Sequence, residues 1–60
     1  MKNYLQILVQ TGKRVHIKTL NACLWDGVVQ SYDDMGIVIK ENGEIVIIPF
    51  LAISSIRVEK

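Results

Sequence analysis

The sequence predicts a mainly β fold, in which a short N-terminal α-helix precedes a five-stranded, strongly bent antiparallel sheet, a small open barrel. Three observations predict it. Apolar spacing changes once, from a helical period over Tyr4, Leu5, Leu8 and Val9 to a period of two from Val15 onward. Gly27 interrupts a long strand-like run, as a bend or a close backbone approach requires. Asn42-Gly43 separates two β-branched segments, a pairing that favours a two-residue hairpin.

Each element has a local reason. Asn3 with Gln6 three residues later resembles a capping box, and Gly12 ends the helical pattern, so the spacing predicts a helix over about 3–11. A helix this short is marginal alone, so its apolar stripe must pack on the sheet as a lid. Val15, Ile17 and Thr19 then face one way, and Arg14, His16 and Lys18 the other, which makes the first strand. Asn21-Ala22 supplies a turn, and the second strand runs from about Cys23 to Tyr32. Its bend at Gly27 allows one strand to serve both halves of a barrel.

Asp33-Asp34-Met35-Gly36 reads as a corner, and Ile37–Lys40 as the third strand. After the hairpin at 41–44, Ile45–Ile48 forms the fourth strand. Pro49-Phe50-Leu51-Ala52 breaks it, because proline cannot continue a central ladder, and Ile53–Val58 forms the fifth. No linker, repeat or low-complexity stretch divides the chain, so 1–60 is expected to be a single domain.

Composition narrows the function. Sixty residues lie near the lower limit for a self-sufficient core, yet half of them are hydrophobic. Such a chain leaves apolar side chains, above all in Ile45-Val46-Ile47-Ile48, for another subunit to cover. If the barrel does not close completely, the fourth and fifth strands expose apolar edges that invite pairing with another copy. Cys23 is the sole cysteine, which excludes an intrachain disulfide and a cysteine-based zinc site and fits a reducing cytosol. No apolar stretch approaches the roughly 20 residues that span a bilayer, and no signal-peptide pattern opens the chain. The expected location is the cytoplasm. A formal charge of +1 gives no large basic field, although a ring of copies would multiply any local basic spot.

Leu20-Asn21 at the first turn, Gly27 in the bent strand, Tyr32-Asp33 before the third strand and Ala52-Ile53-Ser54 opening the last together resemble the bacterial Hfq branch of the Sm-like family. The resemblance runs from Tyr4-Leu5 to Val58. It implies a helix on a five-stranded bent sheet, a homohexameric ring joined through strands four and five, and binding of single-stranded RNA on both ring faces. On the helix-bearing face the family stacks uridine on an aromatic two residues after the corner aspartate, beside an amide; here Met35 and Asp34 stand at those positions. Where the family carries Tyr-Lys-His before Ala-Ile-Ser, this chain has Pro49-Phe50-Leu51, and the preceding hairpin has an extra residue. On the opposite face the family's stacking aromatic, turn glycine and turn lysine align with Lys18, Ala22 and Leu24, and a pocket-bordering leucine aligns with Trp25.

The candidate RNA-contacting residues are therefore Lys13, Arg14, Lys18, Asn21, Trp25, Asp34, Met35 and Phe50. Each has a plainer alternative. Trp25 either caps the core or a subunit contact, or offers an exposed indole for base stacking. Lys13, Arg14 and Lys18 are either a solvated face or a phosphate-contacting rim. Phe50 is either buried or aimed into a pore, where it stacks bases.

Nothing in the sequence assembles an enzyme. His16 has no second histidine and no cysteine at ligand spacing, the aspartates at 33 and 34 sit at a strand corner, and Ser31, Ser54 and Ser55 lack a base and an orienting partner. No cofactor, metal site or catalytic residue is expected. The leading expectation is an RNA chaperone or post-transcriptional regulator acting as a ring. The alternative is an Sm-like oligomeric scaffold or protein-interaction module with weak or no RNA binding, motivated by Phe50 and Leu51 in place of polar donors.

Overall fold

Helix α1 (Lys2–Thr11) is followed by β1 (Arg14–Thr19), β2 (Leu24–Tyr32), β3 (Gly36–Glu41), β4 (Glu44–Pro49), a 3₁₀ turn (Phe50–Ala52) and β5 (Ile53–Val58). The computed structural model describes residues 2–59, with Lys2 described by its backbone alone. The strands form one antiparallel sheet in the order β4-β3-β2-β1-β5. β4 and β5 do not meet, so the sheet is open and its two edges are the last two strands of the chain.

The bend is built into β2. Its first half pairs with β1, from Lys18↔Leu24 to Arg14↔Val28, and its second half with β3, from Val28↔Lys40 to Tyr32↔Ile37. Only Val28 belongs to both ladders. One strand thus serves two half-sheets, as the interrupted run predicted. Of the two roles open to Gly27, the structure shows close approach: a Cβ built there would lie 2.5 Å from the Lys40 carbonyl oxygen. The break in register lies further on, between Val29 and Ser31. Where β2 leaves β3, the Glu41 carboxylate accepts the Asp26 backbone N–H at 2.9 Å.

The core is one cluster of Leu5, Leu8, Val15, Ile17, Val29, Ile37, Ile39 and Ile48. Its strand members alternate along β1 and β3 and are joined by Val29 of β2 and Ile48 of β4, so a single sheet face carries the hydrophobic stabilisation and α1 covers that face. Tyr4 departs from the expected helical stripe. It is 65% exposed, because Leu5 and Leu8 turn to the sheet with Val9 packed beside them, while Tyr4 and Ile7 point away. The capping-box expectation fails at Asn3: the helix includes Lys2, so Asn3 lies within its first turn rather than before it. Gly12 closes the helix as expected, with φ of 67° and its N–H bonded to the Leu8 carbonyl at 3.0 Å.

The hairpin between β3 and β4 matches its sequence. Asn42 and Gly43 have φ of 51° and 85°, as a type I′ turn requires at both central positions. Pro49 ends β4 opposite Gly36, at the sheet edge where a missing N–H disturbs no inner ladder. No described helix is long and apolar enough to cross a membrane.

Candidate functional site

The candidate residues separate into three places. The first is the outer sheet face, turned away from α1. Arg14 and Lys18 are exposed there, alternating with buried Val15, Ile17 and Thr19, and Lys13 is exposed just before β1. Register sets the neighbours: Lys18 lies between Leu24 of β2 and Ser55 of β5, and His16 between Asp26 and Arg57. These side chains line a groove of about 310 Å³. His16 is held inside it, its Nδ1–H donating to the Asp26 carboxylate at 2.5 Å while Nε2 lies 3.4 Å from Glu59. The hydrogen bond to Asp26 raises the His16 pKa above its ordinary value, against the desolvation that lowers it, and the charge of Asp26 and the nearby Glu59 add to the rise.

The second place is the β1–β2 turn. Thr19 organises it and is the one buried polar side chain among the described residues. Its hydroxyl donates to Asn21 Oδ1 at 2.5 Å and accepts the Cys23 N–H at 3.1 Å, while its backbone N–H donates to the Cys23 carbonyl at 2.9 Å. Ala22 takes φ of 66°, the left-handed region, at the position where the resemblance expects glycine. Asn21 and Trp25 line one pocket of about 400 Å³ against Val46, Ile48 and Ala52. The indole is half-buried and packs on the core cluster, since Trp25 pairs with inward-facing Ile17. The exposed outer-face indole weighed for Trp25 is corrected to a partly buried side chain on the opposite side of the sheet.

The third place joins the β2–β3 corner to the 3₁₀ turn. Asp33 Oδ1 accepts the N–H groups of Met35 at 2.8 Å and Gly36 at 3.0 Å, so the corner is an Asx turn. Met35 is 74% exposed, and its carbonyl accepts the Phe50 N–H at 2.9 Å. Phe50 is half-buried on the core, whereas Leu51 beside it is 88% exposed. Asp34 is exposed at the same corner. Met35 offers polarizable apolar surface there but no ring face for a base.

Two residues of the outer groove, Ser55 and Arg57, are not among the candidates that the sequence alone suggests. Their period of two in the last strand is visible in it. What is not local is that β5 pairs with β1, which sets Arg57 beside His16 and Ser55 beside Lys18. A second apolar groove, of about 620 Å³, follows the β5 edge between Tyr4, Phe50, Ile53 and Val58. It is the flank that the exposed Tyr4 leaves open.

A helix capping a five-stranded, bent and open antiparallel sheet, with its last two strands as free edges, defines the class of small Sm-like folds. No family model matches the sequence, and no curated protein matches it. The chain is similar to a 1.55 Å crystal structure of the pleiotropic translational regulator Hfq, with a TM-score of 0.88 over 92% of each chain and 24% identity. The fold is therefore the Sm-like fold of Hfq.

Proposed function

We propose that this chain is a single-domain, Hfq-like RNA-binding subunit that assembles into a homo-oligomeric ring, a hexamer, and acts in the cytoplasm as an RNA chaperone or post-transcriptional regulator. The observation that carries the reading is the open sheet with β4 and β5 as unpaired edges, on a fold so similar to that of a translational regulator. Both edges are apolar: Ile45 and Ile47 are exposed on β4, with Ile47 at 72%, and the β5 edge borders the groove of Tyr4 and Phe50. Pairing β4 of one copy with β5 of the next satisfies the free backbone groups and covers these side chains.

RNA recognition is non-covalent on this reading. Bases lie against Met35 and Phe50 on the helix-bearing side, and Trp25 with Asn21 forms an apolar pocket with an amide at its rim. Phosphates meet the basic residues, whose number the ring multiplies. Two RNAs held on one ring anneal through raised effective concentration.

Native mass spectrometry and anisotropy titrations with uridine-rich and adenine-rich oligomers at two salt concentrations test the reading. A hexamer that binds either oligomer in a salt-dependent way is the expected result. An intact ring that binds neither overturns the RNA role and leaves a scaffold; a monomer overturns the assembly.

A further inference from the structure

We propose that the outer-face groove at Lys18, Ser55 and Arg57 is a phosphodiester-binding site, so that this face holds the backbone of a single strand and does not read its bases. The inference rests on the RNA-binding reading above and specifies the chemistry of one of its surfaces.

Cross-strand register creates the site. Lys18 stands opposite Ser55, and Arg57 lies two residues further along β5, so the three project from one face of adjacent strands into one groove. Diagonal neighbours on an antiparallel pair lie about 7–8 Å apart at Cα, a gap that two long cationic side chains close onto one phosphate. Neither Lys18 nor Arg57 has a side-chain hydrogen bond or ion pair among the described residues, so both charges are available. The Ser55 hydroxyl between them is exposed and adds a donor. Arg57 supplies a planar fork suited to two phosphate oxygens, and Lys18 a point charge.

The groove also contains carboxylate, which decides its sign. Asp26 and Glu59 both face His16, on the far side of Lys18 along β1, and Asp26 is bonded to the imidazole. Those charges are directed at a partner, while the two cations are not. No Phe, Tyr or Trp side chain lines the groove, and its one ring, the His16 imidazole, is bonded to Asp26; Leu24 is its exposed apolar wall. A surface with paired cations and a hydroxyl, whose single imidazole is engaged by a carboxylate, binds the part of a nucleic acid that every sequence shares.

The test uses the full chain, with Lys18→Gln, Arg57→Gln and Lys18→Arg variants checked for unchanged circular dichroism and subunit number. Anisotropy is measured over a salt series with uridine-rich, adenine-rich and abasic ribose-phosphate oligomers. Each glutamine variant is expected to weaken all three strands by a similar factor, fivefold or more. The slope of log K against log salt should fall by about 0.7 for each phosphate that the variant no longer neutralises, and Lys18→Arg should restore it. Glutamine variants with the wild-type slope, or an abasic strand that fails to bind where the base-bearing strands do, overturn the site while the RNA-binding function stands. A wild-type ring that binds no strand overturns both.

Discussion

Phe50 donates its backbone N–H to the Met35 carbonyl at 2.9 Å, so the corner between β2 and β3 and the turn after β4 share a hydrogen bond. Two segments that the sequence keeps apart therefore meet through their backbones, one bearing an exposed Met35 and the other a half-buried Phe50. In the proposed ring this is where a base would lie, and it has one aromatic ring where a sandwich needs two faces. Met35→Tyr supplies the second without disturbing the corner, since Asp33 bonds only the backbone N–H of residue 35. The variant is expected to bind uridine-rich RNA about 1 kcal/mol more tightly, roughly fivefold, as one added stacking contact provides. Anisotropy with a uridine-rich oligomer measures it, and an unchanged Kd would move the base away from this corner.

The β1–β2 turn carries a strain that one substitution removes. Ala22 has φ of 66°, where a Cβ crowds the following carbonyl at a cost of about 1–2 kcal/mol. Glycine relieves this and offsets part of the gain through its larger unfolded-state entropy. Ala22→Gly is expected to raise unfolding stability by about 0.5–1 kcal/mol, read as a higher urea midpoint with an unchanged slope. A lower midpoint would mean that the turn does not need the left-handed conformation.

What the sequence made legible divides along the range of the interactions. Asn42-Gly43, Gly12 and the alternation of β1 are set by neighbouring residues, and each is found where the pattern placed it. Apolar edges on β4 and β5 are expected where the barrel does not close, and the open strand order meets that condition. The side of the sheet on which Trp25 falls was not local. It depends on pairing with Ile17 across a turn whose φ at Ala22 is atypical for its residue type. Nor was the outer groove local, because Arg57 and His16 meet only through pairing of the first and last strands. A short helix shows the same limit: Tyr4 fits the apolar spacing, but the sheet accepts Leu5, Leu8 and part of Val9 and leaves Tyr4 outside.

Gly27 is the point where β2 changes partner, and the backbone of β3 occupies the space a side chain would take. A Cβ there would meet the Lys40 carbonyl oxygen at 2.5 Å and the carbonyl carbon at 3.0 Å. Backbone atoms cannot rotate aside as a flexible side chain would, so the strands must separate. Gly27→Ala is expected to destabilise the fold by about 1–3 kcal/mol, the range typical of overpacking in a closely packed site. Urea denaturation measures the loss, and native mass spectrometry should show less of the proposed ring where the bend is disturbed. An unchanged midpoint would show that β2 and β3 part at this position without penalty.

His16 makes stability depend on pH in a direction that its partners fix. The hydrogen bond to Asp26 and the weaker influence of Glu59 raise its folded pKa above the ordinary value of 6.5, so the folded state binds the proton more tightly than the unfolded chain. The stabilisation is complete below that ordinary value and is lost as pH rises through the higher folded value. The imidazole is partly exposed, so the effect is screened by salt. Thermal unfolding from pH 5.5 to 8.5 is expected to show the wild-type midpoint falling toward that of His16→Gln as pH increases, with a smaller difference at high salt. A wild-type advantage that instead grew above neutral pH would mean that the imidazole is held neutral and that its hydrogen bond with Asp26 does not favour the charged form.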